Sequence, residues 1–182
     1  MKKEIDYHSA LGDELHIEEG DDFYIGKIAF VHDINDGVHH LFRYVDCIYS
    51  EPSWLNGYPK FLERAGVKSE SFNEYKKNIL SVIKSINKPS FIIMGKHMVK
   101  TMNPDYSYDI KLNGGNSVLG VYNYNNIPIF ERTEQLLEYI SDRFDVVLDF
   151  CCGYGTTFNY FDRFVASDIN KKCINYINKK YL

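Results

Sequence analysis

The chain has 182 residues, of which 45% are hydrophobic and 25% charged, and its net charge is −4. This length and composition are typical of one globular domain and exclude an intrinsically disordered chain. The acidic balance argues against strong autonomous binding to duplex DNA, which usually needs a basic surface. No apolar run approaches the roughly 20 residues of a membrane span, and the polar start does not resemble a signal peptide, so we expect a cytoplasmic protein.

Strand and helix patterns alternate along the chain. The first twenty residues have weak periodicity and predict a loose arm or a short helix. Apolar and β-branched runs predict strands at 23–31, 45–49, 91–94, 117–124, 146–150 and 164–167. Helical spacing predicts helices at 72–86, 131–144 and 171–181, and shorter helical segments at 37–43 and 158–161. Ser71 is the expected N-cap of the helix at 72–86, and 103–116 is expected to be a surface loop. The alternation predicts an α/β protein with a mostly parallel sheet covered by helices on both faces.

The cysteine and histidine residues show no spacing typical of a metal site. The four cysteines contain no CxxC pair, and no Cys/His cluster resembles a zinc site, so no metal is expected. The neighbouring Cys151 and Cys152 are interpreted as buried thiols. His39, His40 and His97 are interpreted as exposed or loop residues.

The strongest local signal is VVLDFCCGYGTT at 146–157, followed by FVASDIN at 164–170. An apolar strand that runs into Gly153-x-Gly155 lets the backbone turn tightly and approach a ligand without Cβ clashes. Asp168 ends the next predicted strand, where a carboxylate can accept both ribose hydroxyls of an adenosine. Phe158 stands in place of the third glycine of a dinucleotide fingerprint. The ligand therefore has no pyrophosphate to cradle, and we expect its negative end to be a carboxylate.

This stretch resembles the cofactor motif of amino-directed DNA methyltransferases, VLDPFxGSGTT followed by a strand that ends in an acid. The residues that match are Asp149, Phe150, Gly153, Gly155, Thr156 and Thr157. Upstream, PIFERTEQLLEYI at 128–140 is similar to the family's segment HPTxKPxxLLexxI. The resemblance implies that the chain binds S-adenosylmethionine. It adds four cofactor contacts to those matching residues: Arg132, Thr133, Asp168 and Ile169.

The segment VDCIYSEPSW at 45–54 is similar to the family's catalytic loop, Asp/Asn/Ser-Pro-Pro-aromatic after a strand. The candidate catalytic residues are therefore Glu51, Pro52, Ser53 and Trp54, with Glu51 and Ser53 departing from the usual pattern. In this chemistry a side-chain oxygen and a backbone carbonyl accept the two N–H bonds of an exocyclic amine. Its lone pair then points at the sulfonium methyl group, while the aromatic ring stacks on the flipped base. Taken without the other motifs, Glu51-Pro52 is an ordinary turn and Trp54 a core anchor.

The catalytic segment precedes the cofactor segment, an order found in one permuted subclass of the family. In that subclass an acid at the end of an earlier strand approaches the cofactor's adenine, and Asp33 occupies this place. The resemblance spans about 25–182. It implies a Rossmann-like methyltransferase fold in one domain over 1–182, with 1–20 as a loose arm. Between Lys96 and Asn126 there is little room for a separate target-recognition domain.

Three functions are compatible with these residues. The first is methylation of an exocyclic amino group of a nucleobase, with N6 of adenine in DNA preferred because an aromatic residue follows the proline. The second is a catalytically impaired S-adenosylmethionine-binding or regulatory subunit that works with a partner. The third is a methyltransferase for a substrate other than nucleic acid. We expect the isolated chain to bind DNA weakly, and RNA less readily than DNA. A homo-oligomer or a partner subunit would then supply target recognition, and no membrane contact is expected.

Overall fold

In a computed structural model, residues 3–5, 23–52, 58–66, 71–112 and 115–182 are described. Two short strands, β1 (Lys3–Ile5) and β2 (Phe23–Ile25), form a separate parallel pair. The remaining described strands form one seven-stranded sheet, and they are, in chain order, β3 (Lys27–Val31), β4 (Cys47–Ser50), β5 (Ser90–Met94), β6 (Tyr106–Leu112), β7 (Gly115–Tyr122), β8 (Val146–Asp149) and β9 (Arg163–Asp168).

The main sheet has the spatial order β3-β9-β8-β4-β5-β7-β6. Only β7 runs against the others, since it pairs antiparallel with both β5 and β6. The strands β3, β9, β8, β4 and β5 are parallel, so their carboxyl ends meet at one edge of the sheet. Ligands of open α/β sheets bind in the crevice outside that edge.

Five α-helices are described, and they are α1 (Tyr58–Ala65), α2 (Phe72–Ile86), α3 (Lys96–Met102), α4 (Thr133–Ser141) and α5 (Lys171–Tyr181). Short 3-10 helices lie at Ile34–Asp36, His40–Tyr44 and Thr156–Asn159. None of the described helices is long and apolar enough to cross a membrane. Ser71 caps α2 as expected, because its hydroxyl accepts the backbone N–H of Glu74 at 3.1 Å.

Apolar side chains are buried on both faces of the sheet. Leu148 of β8 belongs to one buried cluster, together with Ile79 and Ile83 of α2. Its neighbour Val147 belongs to the other cluster, which contains Leu136, Ile140, Ile174 and Ile177 of α4 and α5. Successive residues of a strand point to opposite faces, so the consecutive apolar residues of β8 match a strand covered on both sides. The predicted α/β arrangement is confirmed.

Three local predictions are wrong, and two helices were not predicted. The expected loop at 103–116 contains β6 and the start of β7, which pair as a hairpin from Tyr106↔Val121 to Leu112↔Gly115. The helices α1 and α3 are additional elements. The expected strand at 23–31 is split at Gly26, whose carbonyl accepts the N–H of Phe164. The helical segment expected at 158–161 is a 3-10 helix that begins at Thr156, because Gly155 precedes it in the left-handed conformation.

Candidate active site

A pocket opens at the carboxyl edge of the sheet, where β3, β8 and β9 end. Its free volume is about 20 Å³, which is room for little more than one water molecule. Four predicted cofactor residues line it: Asp33, Phe150, Asp168 and Ile169. Six further residues complete the lining: His32, Ile34, Asn35, Leu62, Tyr75 and Cys151. The sequence patterns at the ends of three separate strands therefore converge on one cavity.

Asp168 joins the pocket to the glycine turn. One carboxylate oxygen accepts the N–H of Gly153 and the other accepts the N–H of Asn170, both at 2.8 Å. The residue is 2% exposed, and burial raises the pKa of its carboxyl group, while the two backbone hydrogen bonds oppose that rise. Each oxygen keeps a further lone pair, so the carboxylate can still accept a hydrogen bond from a ligand hydroxyl.

The two glycines of the turn have different tasks. Both lie in the left-handed region, with φ of 51° at Gly153 and 67° at Gly155. A Cβ at Gly155 would lie 2.6 Å from Phe158 and 3.0 Å from Ile177, so this glycine permits close packing inside the protein. A Cβ at Gly153 would meet nothing within 4 Å. The backbone at Gly153 therefore borders open space beside the pocket, as expected for a turn that a ligand approaches.

Asp33 stands at the other side of the pocket. Its side chain caps the 3-10 helix Ile34–Asp36 by accepting the N–H of Asn35 at 2.9 Å. The side chain of Asn35 in turn accepts a hydrogen bond from Asn78 of α2 at 2.8 Å. The loop after β3 is thereby tied to α2, and one oxygen of Asp33 is held in place by its own backbone.

Asp149 ends β8 in the middle of the sheet. One of its oxygens accepts the hydroxyl of Ser50 at 2.8 Å and the N–H of Cys151 at 3.1 Å. Burial raises the pKa of its carboxyl group to about 7, and the negative charges of Glu51 and Asp168 add to the rise. The two hydrogen bonds only partly compensate. Asp149 therefore exchanges its proton near neutral pH, which is unusual for an aspartate.

Glu51 follows β4 directly and is held by that strand. Its carboxylate accepts a short hydrogen bond from the hydroxyl of Tyr49, which is fully buried. Burial raises the pKa of Glu51, the hydrogen bond from Tyr49 lowers it, and the charge of Glu134 raises it again. Pro52 is buried, whereas Ser53 and Trp54 lie outside the described residues. Glu51 does not line the pocket, although its charge influences Asp149.

Four further predicted cofactor residues do not line the pocket. Arg132 is exposed and pairs with Lys111 of β6 in an isolated bridge, while Thr133 is buried at the first turn of α4. Thr156 is exposed and Thr157 is buried in the 3-10 helix after the glycine turn. The hydroxyl oxygen of Thr157 has no hydrogen-bond partner among the described residues.

Sequence reasoning missed the pocket wall that α1 and α2 contribute. Leu62 and Tyr75 line the pocket, and the hydroxyl of Tyr75 lies 3.5 Å from the sulfur of Cys151. Both side chains lie on the buried sides of helices, and no sequence motif for ligand binding surrounds either of them. For His32 and Ile34 a signal existed, since they flank the predicted Asp33.

The histidines near β3 are packed together rather than exposed. His39 lies 4.2 Å from His40 and 5.4 Å from His32, measured between ring centroids. Burial, followed by the charges of His40 and His32, lowers the pKa of His39 to about 4. His39 lies in a loop and is partly buried, His40 is partly buried at the start of a 3-10 helix, and His97 is exposed. Within the described ranges, no group of three or more His, Cys, Asp or Glu side chains is placed to hold a metal ion.

The cysteines are unpaired thiols. Cys152 is buried, whereas Cys151 is only partly buried because it borders the pocket. Burial raises the pKa of both thiols well above the usual range, so neither is a reactive thiolate at neutral pH.

Comparison with known proteins shows the fold. The chain is similar to the crystal structure of M1.HpyAVI, with a TM-score of 0.52 and 15% sequence identity over 84% of this chain and 97% of that one. The M1.HpyAVI-SAM complex matches over the same shares of both chains, with a TM-score of 0.51 and 15% identity. No protein-family model and no curated protein matches the chain. The predicted Rossmann-like fold, a mostly parallel sheet with helices on both faces, is confirmed by these structures.

Proposed function

We propose that the chain is an S-adenosylmethionine-dependent methyltransferase that acts on an exocyclic amino group of a nucleobase, with N6 of adenine in DNA as the preferred target. One observation carries this proposal. On a methyltransferase fold, Asp33, Asp149 and Asp168 end three adjacent strands around the glycine turn and its pocket. This is the arrangement that the motifs at 146–157 and 164–170 predict.

The lining of the pocket offers the groups that an adenosine-containing cofactor needs, and the walls have to move apart to admit it. Asp168 offers carboxylate lone pairs for the ribose hydroxyls, and Asp33, which follows the neighbouring β3, can accept a hydrogen bond from the adenine amino group. Ile34, Phe150 and Ile169 supply apolar surface for the base. The open space at Gly153 lets a ligand approach the backbone. When bound, S-adenosylmethionine supplies a methyl group on a positively charged sulfur.

The residues around β4 would orient the substrate. Glu51 is the proposed acceptor for an N–H of the target amine, and Tyr49 fixes its carboxylate. Pro52 and Ser53 would place the backbone carbonyl that accepts the second N–H, and Trp54 would stack on the base. Four residues outside the pocket lining remain proposed cofactor contacts: Arg132, Thr133, Thr156 and Thr157. These contacts require either a ligand that extends beyond the described pocket or a shift of the four residues.

The order of elements supports the permuted subclass. β4 and Glu51 come before β8 and the glycine turn in the chain, yet the two strands pair side by side in the sheet. The stretch between Lys96 and Asn126, apart from residues 113 and 114, forms α3, β6, β7 and their connections. Target recognition by a separate domain within this stretch is therefore not part of the proposal.

A second candidate is an impaired cofactor-binding subunit. It is favoured by the state of Glu51, whose raised pKa and hydrogen bond with Tyr49 reduce its availability as an acceptor. Both candidates bind the cofactor, and only the first one transfers a methyl group. Transfer of a tritiated methyl group to DNA, RNA and peptide pools, with and without partner proteins, separates them and also detects a substrate other than nucleic acid.

The first test is calorimetric titration with S-adenosylmethionine and its demethylated product. We expect both to bind, and Asp168→Ala to weaken binding by roughly 1.5–3 kcal/mol because a charged acceptor is lost. Asp162→Ala, at an exposed aspartate just ahead of β9, is the matched control and should bind normally. Asp168 also holds Gly153 and Asn170, so thermal melting of the same samples must show that the variant is folded. No heat at millimolar cofactor would contradict the proposed function.

A further inference from the structure

One helix concentrates positive charge in an acidic protein. α5 contains four lysines, Lys171, Lys172, Lys179 and Lys180, and no aspartate or glutamate. All four lysines are exposed, whereas the net charge of the chain is −4. The proposed methyl transfer uses none of them.

The exposed side of α5 also carries tyrosines. Tyr176 lies between Lys172 and Lys180 at four-residue spacing, so the three side chains share one face of the helix. The ring of Tyr154, from the glycine turn, packs edge-on against Tyr176 with centroids 5.4 Å apart. Tyr154 is 56% exposed and Tyr176 is 45% exposed. We refer to Tyr154, Lys171, Lys172, Tyr176, Lys179 and Lys180 as the α5 surface.

The charge on the α5 surface is retained at neutral pH. The ammonium group of Lys180 donates to the hydroxyl of Tyr181 at 2.8 Å and lies 5.6 Å from the ring centroid of Tyr176. The hydrogen bond to Tyr181, followed by the neighbouring tyrosines, raises the pKa of Lys180. The opposite face of α5, with Cys173, Ile174 and Ile177, is buried in the protein. The helix therefore has no apolar face to insert into a lipid bilayer.

The α5 surface begins at the rim of the pocket. Tyr154 is flanked by Gly153 and Gly155, and the N–H of Gly153 is bonded to Asp168 in the pocket wall. After the end of β9, Asn170 caps α5 and directly follows the pocket residues Asp168 and Ile169. The N-terminal end of α5 is therefore joined to the pocket wall at Asp168 and Ile169.

We propose that the α5 surface binds the phosphate backbone of duplex DNA. The inference rests on the proposed function and names the contact that would hold its substrate. Eight residues separate Lys172 from Lys180, which corresponds to about 12 Å along the helix. Duplex DNA carries one negative charge per about 1.7 Å of its axis, so phosphates are available to each lysine. The tyrosine hydroxyls are further donors to phosphate oxygens.

The test is the salt dependence of binding to a fluorescently labelled DNA duplex. If all four lysines of α5 each neutralise one phosphate, the slope of log K against log salt is about −3.6, and a fourfold rise in salt weakens binding about 150-fold. In the double variant Lys172→Gln, Lys180→Gln the slope should fall to about −1.8, and the same rise in salt should weaken binding only about 12-fold. The matched control Lys84→Gln, Lys100→Gln removes two exposed lysines from α2 and α3 and should keep the wild-type slope.

Several outcomes would overturn the inference: no DNA binding by the wild-type chain, an equal change of slope in both double variants, or tighter binding to duplex RNA of the same sequence. Calorimetry with S-adenosylmethionine on the same proteins keeps this inference apart from the proposed function. If the chain binds the cofactor but the salt slope does not depend on Lys172 and Lys180, the inference about the α5 surface is refuted and the proposed function is retained. A lysine-dependent slope without cofactor binding refutes the methyltransferase and retains the α5 surface.

Discussion

At the scale of single residues, the acid at the end of β8 is the group most sensitive to pH. Asp149 is 3% exposed, and burial raises the pKa of its carboxyl group from 3.8 to about 7. Between these two pH values the folded chain keeps a proton that the unfolded chain has lost. The free energy of unfolding therefore falls as the pH rises through this window, by up to about 4 kcal/mol.

Asp149→Asn should abolish this contribution, because the amide does not titrate. We expect thermal melting of the wild type to decline between about pH 4 and pH 7 more steeply than melting of the variant. Asp162→Asn, at an exposed position, provides the control and should behave as the wild type. Equal pH dependence in the wild type and Asp149→Asn would mean that Asp149 is already ionised in the folded protein.

The pair of Tyr49 and Glu51 makes a second prediction. The hydrogen bond from Tyr49 lowers the pKa of Glu51 against the effect of burial, so Tyr49→Phe should raise it. If the ionised Glu51 accepts the target amine, the acidic limb of the rate profile for methyl transfer should move to higher pH in Tyr49→Phe. Glu51→Gln should remove that limb and reduce the rate. An unshifted profile in Tyr49→Phe would show that the ionisation of Glu51 does not control the rate of methyl transfer.

At the scale of elements, the turn between β8 and β9 offers a matched pair of glycines. Gly153→Ala and Gly155→Ala both force a left-handed alanine, at a cost of about 1–2 kcal/mol. Only the methyl group at Gly155 collides with Phe158 and Ile177, which should add about 1–3 kcal/mol. Denaturant unfolding should therefore rank Gly155→Ala as the less stable protein. The loss of cofactor affinity should be divided by the loss of stability for each variant. By this measure Gly153→Ala should lose more affinity than Gly155→Ala, because its methyl group projects into the open space beside the pocket.

The elements also show which structural features the sequence predicts. The helix α2 and the strands β5, β8 and β9 are buried on one or both faces, and their apolar patterns predict them within one or two residues. In β6, YSYDIKL, aromatic or apolar residues do alternate with polar ones as in a half-buried strand, and the loop prediction missed this pattern among the polar and glycine residues that surround it. The helix α3 has only seven residues, and its N-cap, Gly95, offers no side-chain hydrogen bond. Its two buried residues, Met98 and Met102, are too few to show helical spacing in the sequence.

The residues of the candidate site likewise divide into those that the sequence predicts and those that it does not. Asp33, Asp149 and Asp168 could be predicted because each is an acid directly after or at the end of an apolar strand, and parallel strand ends meet at one edge. Ser50 and Tyr75 could not, since their contacts with Asp149 and Cys151 join residues 99 and 76 positions apart in the chain. Such pairings depend on the folded sheet and leave no local pattern.

At the scale of the whole molecule, the centre of the sheet comes from the last part of the chain. β8 lies between β9 and β4, and β9 supplies the partner of β3. Asp46 and Val146 are joined twice, by a backbone hydrogen bond of 2.8 Å and by the side chain of Asp46 accepting the N–H of Val146 at 2.9 Å. The strands that open the chain and those that close it are therefore joined at the middle of the fold.

This arrangement has a consequence for biosynthesis. A chain emerging from the ribosome presents β3 and β4 early, but the strands that complete their pairing, β9 and β8, are made a hundred residues or more later. Until then an apolar strand edge stays open to solvent, and open edges recruit other chains. Contacts so distant along the chain also slow folding. The strand order that places β4 beside β8 thus leaves this edge open until synthesis reaches the last two strands.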